Sequence, residues 1–413
     1  MRPEQQLTQP FTLGNGVVIK NRLAKSAMSE ALAQQSGAPT PALERLYQRW
    51  AEGGIGLCIT GNVMIDRRAL GEPGNVVIED ERDLPALSRW AAAGTRNNTR
   101  LWMQINHPGK QSPRGLNRET VAPSAIPFRA DLARMFATPR ALTEGEIDEL
   151  IQRYARTAAV AKAAGFSGVQ IHGAHGYLVS QFLSPHHNQR TDGWGGTPDK
   201  RRRFVLSVLA AMRSQVGAGF PIGIKLNSAD FQRGGFTEEE SLDTVRALVE
   251  AGIDLVEISG GTYEAPVMTG VTEVKDSTRR REAYFLEFAE KVRAAVRVPL
   301  MVTGGFRTPR GMADAIASGA VDFVGLARAL AMEPDLPQRL LRGEPARYAV
   351  RPIRTGIGLL DRSALMEIQW YTRQLHRIGR GAEPLPTESG LKAFACYAFE
   401  NGLKTFRHRR LRA

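Results

Sequence analysis

The stretch SGVQIHGAHGYLVSQFLSPHHNQRTDGWGG, Ser167 to Gly196, joins a short apolar run to a dense set of chemically active side chains. SGVQIHG reads as a buried strand. Gly173 and Gly176 then loosen the backbone so that His172, His175 and Tyr177 can crowd one small volume. Two imidazoles and a phenol so placed can grip and protonate a carbonyl compound. A strand with chemistry at its carboxyl end is what a parallel α/β barrel requires.

Working outward, runs of the same kind recur on both sides. LAKSAM, IGLCITG and RLWMQIN precede SGVQIHG; PIGIKLN, IDLVEISGG, VPLMVTGG and VDFVGLA follow it. Between most of them lie segments with helical spacing: IDELIQRYARTAAVAKAAG, RRRFVLSVLAAMRSQVG, EESLDTVRALVEAG and YFLEFAEKVRAAV. Thr237 followed by Glu240 is a capping signal. Eight strand–helix units predict an α/β protein, a parallel (β/α)₈ TIM barrel over residues 1–345. Residues 346–413 are expected to form a helical extension.

Composition narrows the class. At 413 residues and 42% hydrophobic content the chain can bury one large core, with or without an appendage. Cys58 and Cys396 make neither a disulfide framework nor a Cys-rich metal site, and no metal is expected. The start MRPEQQLTQPF lacks the apolar region of a signal peptide, and no run of about 18 apolar residues occurs. The expectation is a cytoplasmic protein. The formal charge is +13, but residues 350–413 carry 12 Lys and Arg against 5 Asp and Glu, and the rest shows no basic stripe interleaved with aromatics. That pattern argues against nucleic acid and suits an anionic small molecule.

In a barrel, catalytic groups should sit at the carboxyl ends of the strands. Ser29 follows the first, Asn62 the second, Gln104 ends the third, His172 and His175 follow the fourth, and Lys225 ends the fifth. The third loop, HPGKQSPRGLNRETVAPSAIPF, is long enough to wall a pocket. TGGFRTPRG after strand seven and GLARAL after strand eight stand where this fold commonly cradles phosphate. Gly304, Gly305 and Phe306 would offer backbone N–H groups and Arg328 a charged fork. Each residue also has a plainer reading. On that reading the glycines only turn the chain, an H-x-x-H pair is often a metal pair or a set of satisfied contacts, Gln104 satisfies strand ends and Lys225 is a structural ion-pair member. No carboxylate flanks the histidine pair at metalloprotease spacing. His186 and His187 are expected to face solvent or cap a helix.

PFTLGNGVVIKNRLAKSAMS, WMQINHPGK, IHGAHGYLVSQFLSPHHNQRTDGWGG, GIKLNSADF, TGGFRTP and GLARAL, in this order, resemble the old yellow enzyme group of FMN-dependent NAD(P)H oxidoreductases. The resemblance runs from about residue 8 to residue 345. It implies that His172 and His175 hold the carbonyl oxygen of an activated alkene while Tyr177 protonates its α-carbon. Hydride would pass from reduced FMN N5 to the β-carbon in a ping-pong cycle fed by NADPH or NADH. It further implies Gln104 and Lys225 at the flavin pyrimidine edge, Ala27, Met28, Ser29 and Asn62 along the ring, and Gly304, Gly305 and Arg328 at the phosphate. An enone-type substrate is implied. The same site could instead run oxidative or demethylating chemistry, or bind flavin without turnover.

Some positions depart from the group. Ser29 replaces Thr or Cys, which leaves the flavin potential open; Asn62 replaces a small residue, Ala327 a glycine before the phosphate-binding arginine, and Lys225 the Arg of one branch. Residues 346–413 hold one cysteine and no G-x-G-x-x-G, so the larger members' iron–sulfur and second dinucleotide-binding domains are not expected there. ALMEIQWYTRQLHRI and LKAFACYAFENGLKTF read as two amphipathic helices packing on the barrel or on a neighbouring subunit of a homo-oligomer. Phe394, Phe399, Leu403 and Phe406 before RHRRLR make a membrane-surface anchor the weaker alternative. Deleting the tail is expected to leave FMN bound. Arg114, Arg118 and Arg129 on loop three are candidates for the 2′-phosphate of NADPH.

Overall fold

The structure, a computed structural model, describes residues 2–262, 264–265, 285–345, 353, 364–396, 399 and 402, with backbone alone at 364–366. Eight parallel strands close on themselves: β1 (Leu23–Lys25), β2 (Leu57–Met64), β3 (Arg100–Asn106), β4 (Gly168–Gly173), β5 (Ile222–Asn227), β6 (Leu255–Ser259), β7 (Leu300–Thr303) and β8 (Phe323–Leu326). Each pairs with the next in the chain, and β8 pairs with β1, so the ring has no free edge. The barrel read from the sequence is this one.

Helices α1 (Pro41–Glu52), α2 (Leu84–Gly94), α3 (Glu144–Ala163), α4 (Pro198–Val216), α5 (Glu238–Glu250), α6 (Leu286–Ala295), α7 (Pro309–Ala317) and α8 (Leu336–Leu341) follow the strands in turn. Threonine starts many of them. Thr40, Thr143, Thr197, Thr237 and Thr308 each accept a hydrogen bond from a backbone N–H of the first turn, and Glu146 and Glu240 return the bond in capping boxes. Pro41, Pro198 and Pro309 fill the first helical position, where a missing N–H costs nothing.

The barrel interior is layered. Ala24, Leu57, Ile59, Trp102, Leu255, Met301 and Phe323 fill its amino-terminal end, closed from below by Leu13 and Ile19 of an antiparallel ribbon pairing Phe11–Thr12 with Val18–Ile19. Trp102 takes the space that side chains at 168 and 223 would need: a Cβ at Gly168 would lie 2.5 Å, and one at Gly223 2.8 Å, from the indole. Above this plug the inward residues turn polar, and the next layer holds Ser26, Gln104, Gln170, Lys225, Glu257 and Thr303. Apolar packing below and polar groups above fix where a ligand can enter.

Two details differ from the sequence reading. Strand β2 continues past Asn62, and its pairing with β3 slips between Ile59 and Asn62. The slip forms because the Gly61 N–H bonds Glu30 Oε1 and Tyr47 Oη at 3.0 Å each, while Thr60 Oγ1 accepts from the Gln104 N–H. A Cβ at Gly61 would lie 2.1 Å from the Met28 carbonyl. The connection after β3, in which the sequence reading placed no strand, contains a short parallel pairing of Val121–Ala122 from loop three with Arg140–Ala141. Beyond the barrel, α9 (Ala364–Gly379) packs against α1 and the Arg328–Met332 turn. No helix among the described residues is long and apolar enough to cross a membrane. Of the second tail helix, residues 391–396, 399 and 402 are described, all in helical conformation, while Leu403, Phe406 and the run RHRRLR lie outside the described residues.

Candidate active site

One pocket opens at the carboxyl ends of the strands. Ala27, Met28, Ser29, Asn62, Gln104, His172, His175, Tyr177, Lys225, Gly304, Gly305, Phe306, Ala327 and Arg328 all line it, so the structure brings together every residue that the sequence assigned to the flavin and the carbonyl substrate.

His172 ends β4 and His175 follows in the left-handed region at φ 62, a conformation that costs a non-glycine residue about 1 kcal/mol. Asn227 Oδ1 accepts the His175 N–H at 3.1 Å and helps hold that turn. The two imidazole centroids lie 5.3 Å apart and the Tyr177 ring 4.6 Å from His172. The Ala174 N–H donates to His172 Nδ1 at 3.3 Å, which leaves the His172 proton on Nε2. His175 Nε2 meets Ser259 Oγ at 2.7 Å. Burial, then the neighbouring His175 and Lys225, hold His172 well below its ordinary pKa; burial and then Lys225 take His175 to about 3. Both rings are neutral N–H donors at physiological pH.

Across the pocket, Lys225 Nζ lies 3.0 Å from Glu257 Oε1, and Gln104 Nε2 donates to Gln170 Oε1 at 2.8 Å. At the β7–β8 end, Gly304 and Gly305 adopt φ 105 and 95, where a side chain would be strained, so their peptides face the pocket without side chains between. Gly325 belongs to the same region: a Cβ there would lie 2.0 Å from Thr303 Oγ1. Arg328 Nη1 donates to Glu367 Oε2 at 2.7 Å.

That last contact introduces residues the sequence reading missed. Glu367, Ile368, Tyr371, Thr372 and Leu375 of α9 form one wall of the pocket. Thr372 Oγ1 donates to the Ser29 carbonyl at 3.1 Å, and His376 Nε2 meets the Glu30 carbonyl at 2.7 Å. The signal was present as an amphipathic repeat, but its partner surface was not. His187, expected at the surface, is buried instead, beside Glu264 and Lys110. His186, His187 and Glu264 bring ligand-type atoms within 4.8 Å of one another, yet the Lys110 ammonium 3.7 Å from Glu264 Oε2 already supplies positive charge there. Arg114 bonds the Ala133 and Phe136 carbonyls, and Arg129 bonds Asp131 and the Glu264 carbonyl. None of Arg114, Arg118 and Arg129 lines the pocket. Arg114 and Arg129 spend their guanidinium groups on those carbonyls and on Asp131 instead.

Residues 6–346 match the family described as NADH:flavin oxidoreductase / NADH oxidase. The chain is 39% identical over 355 residues to the NADH-dependent flavin oxidoreductase iliE of Neonectria sp., an alignment covering 80% of this chain and 46% of that relative, so the chain spans about half its length. It is 35% identical over 406 residues to the NADH-dependent flavin oxidoreductase iccE of Talaromyces variabilis, covering 91% of this chain and 98% of the other. The fold matches the old yellow enzyme homologue from Zymomonas mobilis with a TM-score of 0.71 at 24% identity, over 84% of this chain and 95% of that one. The chain therefore belongs to the NADH:flavin oxidoreductase / NADH oxidase family, oxidoreductases that use FMN and a nicotinamide electron donor.

Proposed function

We propose that the protein uses NADH or NADPH to reduce the C=C bond of α,β-unsaturated carbonyl compounds at this pocket. The observation that carries the reading is the pair of neutral imidazoles His172 and His175 with Tyr177 against them.

The residues fit FMN. Gly304 and Gly305 leave a side-chain-free cradle beside Arg328, as a phosphate needs, and Lys225 with Gln104 offers a cation beside an amide, as a pyrimidine edge needs. Ala27, Met28, Ser29 and Asn62 would flank the ring; Ser29 Oγ is buried without a hydrogen-bond partner among the described residues. Phe306 and Ala327 would contribute backbone at the phosphate end. When bound, FMN takes hydride from the nicotinamide and passes it to the substrate.

The protein's own groups do the rest. As hydride reaches the β-carbon, negative charge gathers on the carbonyl oxygen, and N–H groups already aimed there stabilise the transition state more than the ground state. His172 Nε2–H is such a donor, held in that tautomer by the Ala174 N–H. Tyr177 is a weak acid that keeps its proton at neutral pH until the α-carbon can take it. Deep burial of these groups excludes water from the developing enolate.

The test is an anaerobic visible spectrum during addition of NADPH and then 2-cyclohexenone. Bleaching and return of the flavin band are expected. Tyr177→Phe should keep the bleaching rate and slow the return by about 10²–10⁴-fold. Bleaching with no return for any enone tried would sink ene-reduction and leave the oxidoreductase assignment standing.

A further inference from the structure

Glu257 lies at the middle of β6, fully buried beneath the pocket, and the mechanism above does not use it. Among the described residues, every neighbour that reaches its carboxylate is a donor. Lys225 Nζ at 3.0 Å, Ser26 Oγ at 2.8 Å and Thr303 Oγ1 at 2.7 Å meet Oε1; Gln170 Nε2 donates to Oε2 at 2.8 Å. Burial works to raise its pKa, but Lys225 and the bonds from Thr303, Ser26 and Gln170 outweigh it and hold the carboxyl below its ordinary range. It is an anion, and an anion only accepts.

That restriction propagates. The end of the Gln170 amide at Glu257 must be the NH₂, so its other end, Oε1, is an acceptor, and it receives Gln104 Nε2 at 2.8 Å. Gln104 has then committed its NH₂ to Gln170, which leaves its oxygen as the end available to the pocket it lines. Lys225 is anchored by the same carboxylate on the neighbouring strand, opposite Glu257 in register.

We propose that Glu257 is a positioning residue for the flavin site: it sets Gln104 oxygen-first and anchors Lys225, so that the pocket selects a planar ring edge bearing an N–H beside groups that accept from a cation. This rests on the pocket being the FMN site. The polarity is a property of the whole relay and of none of its amides singly, since each could rotate if Glu257 did not accept at its foot.

The test compares Glu257→Gln with Gln170→Met. A glutamine at 257 faces four donors with one acceptor oxygen and a donor of its own, so the relay reverses and Gln104 meets the ring N–H donor to donor. It also leaves Lys225 without its counter-charge. Glu257→Gln should weaken FMN binding by about tenfold, the loss expected for one buried unpaired donor, and raise the midpoint potential of the bound flavin. Gln170→Met cuts the relay without removing charge and covers the case in which Glu257→Gln fails to fold. It should weaken FMN binding similarly and shift the visible spectrum, with a smaller change in potential. A merely structural role would lower thermal stability and leave spectrum and potential unmoved. Wild-type affinity, spectrum and potential in Gln170→Met would overturn the proposal, whereas a wild-type protein that takes up no FMN would overturn the reading of the pocket beneath it.

Discussion

Arg328 at the end of β8 and Glu367 at the start of α9 meet at 2.7 Å inside the pocket, on the cradle assigned to the cofactor phosphate. A carboxylate there satisfies a half-buried guanidinium, but it also places negative charge where the proposed cradle would take the phosphate. Glu367→Gln keeps the shape and removes the charge. FMN should then bind about threefold to tenfold more tightly, by roughly 1 kcal/mol of relieved repulsion in a medium between water and protein interior, and riboflavin, which lacks phosphate, should be unaffected. Fluorescence titration with both flavins checks this. An equal change for both would mean that Glu367 acts through α9 and not through the charge on Arg328.

At the scale of elements, α9 decides how the tail is understood. The helix is tied to the Ser29–Glu30 segment by Thr372 and His376, to the α1 side through the Arg45 bond to the Gly379 carbonyl, and to its own continuation through Arg373 and Gln374 on Glu388. Ile368, Tyr371 and Leu375 then complete the pocket wall. Truncation after Pro345 should therefore weaken FMN binding by about tenfold or more, since losing two or three partly covered apolar side chains forfeits about 1–3 kcal/mol. Equilibrium dialysis of the truncated protein against FMN would decide it. Unchanged affinity would restore the simpler expectation that the tail is an appendage.

The whole molecule carries a pH signature. His107, His172 and His187 are buried and His175 is partly so, and desolvation lowers the pKa of each, His107 to about 4 and His175 to about 3. Above the ordinary value of 6.5 each ring is neutral folded and unfolded, and the stability is fully present. Below it the unfolded chain takes up protons that the folded protein refuses, so stability falls with falling pH until the folded values are reached. Each such ring contributes a slope of about 1.4 kcal/mol per pH unit within its window. Urea unfolding between pH 7 and pH 4 should show the decline, and His175→Asn should reduce its slope by one proton's share. A slope unchanged in that variant would show that His175 is not held neutral.

The eight strands, most of the helices and the pocket residues were legible because their signals are local. Alternation of apolar runs with amphipathic segments encodes β/α units, parallel closure sends strand ends to one face, and residues such as His172, Gln104 and Gly304 declare their place by standing at those ends. What the sequence could not reveal depends on partners far along the chain. Glu257 looks like an interruption in an apolar strand until register sets it opposite Lys225 and one amide from Gln104, and α9 looks like any amphipathic helix until Thr372 meets Ser29, 343 residues away. His187 reads as a surface group because polarity predicts exposure unless a buried counterpart such as Glu264 is supplied by another loop, and the loop-three arginines read as a phosphate-binding rim because their carbonyl partners, Phe136 and Glu264 among them, lie elsewhere in the chain. Sequence by itself determined the barrel and the reactive set at its mouth; tertiary structure decided the direction of the hydrogen bonds beneath them and the wall that encloses them, because both depend on which distant groups closure of the barrel brings within 3 Å of one another.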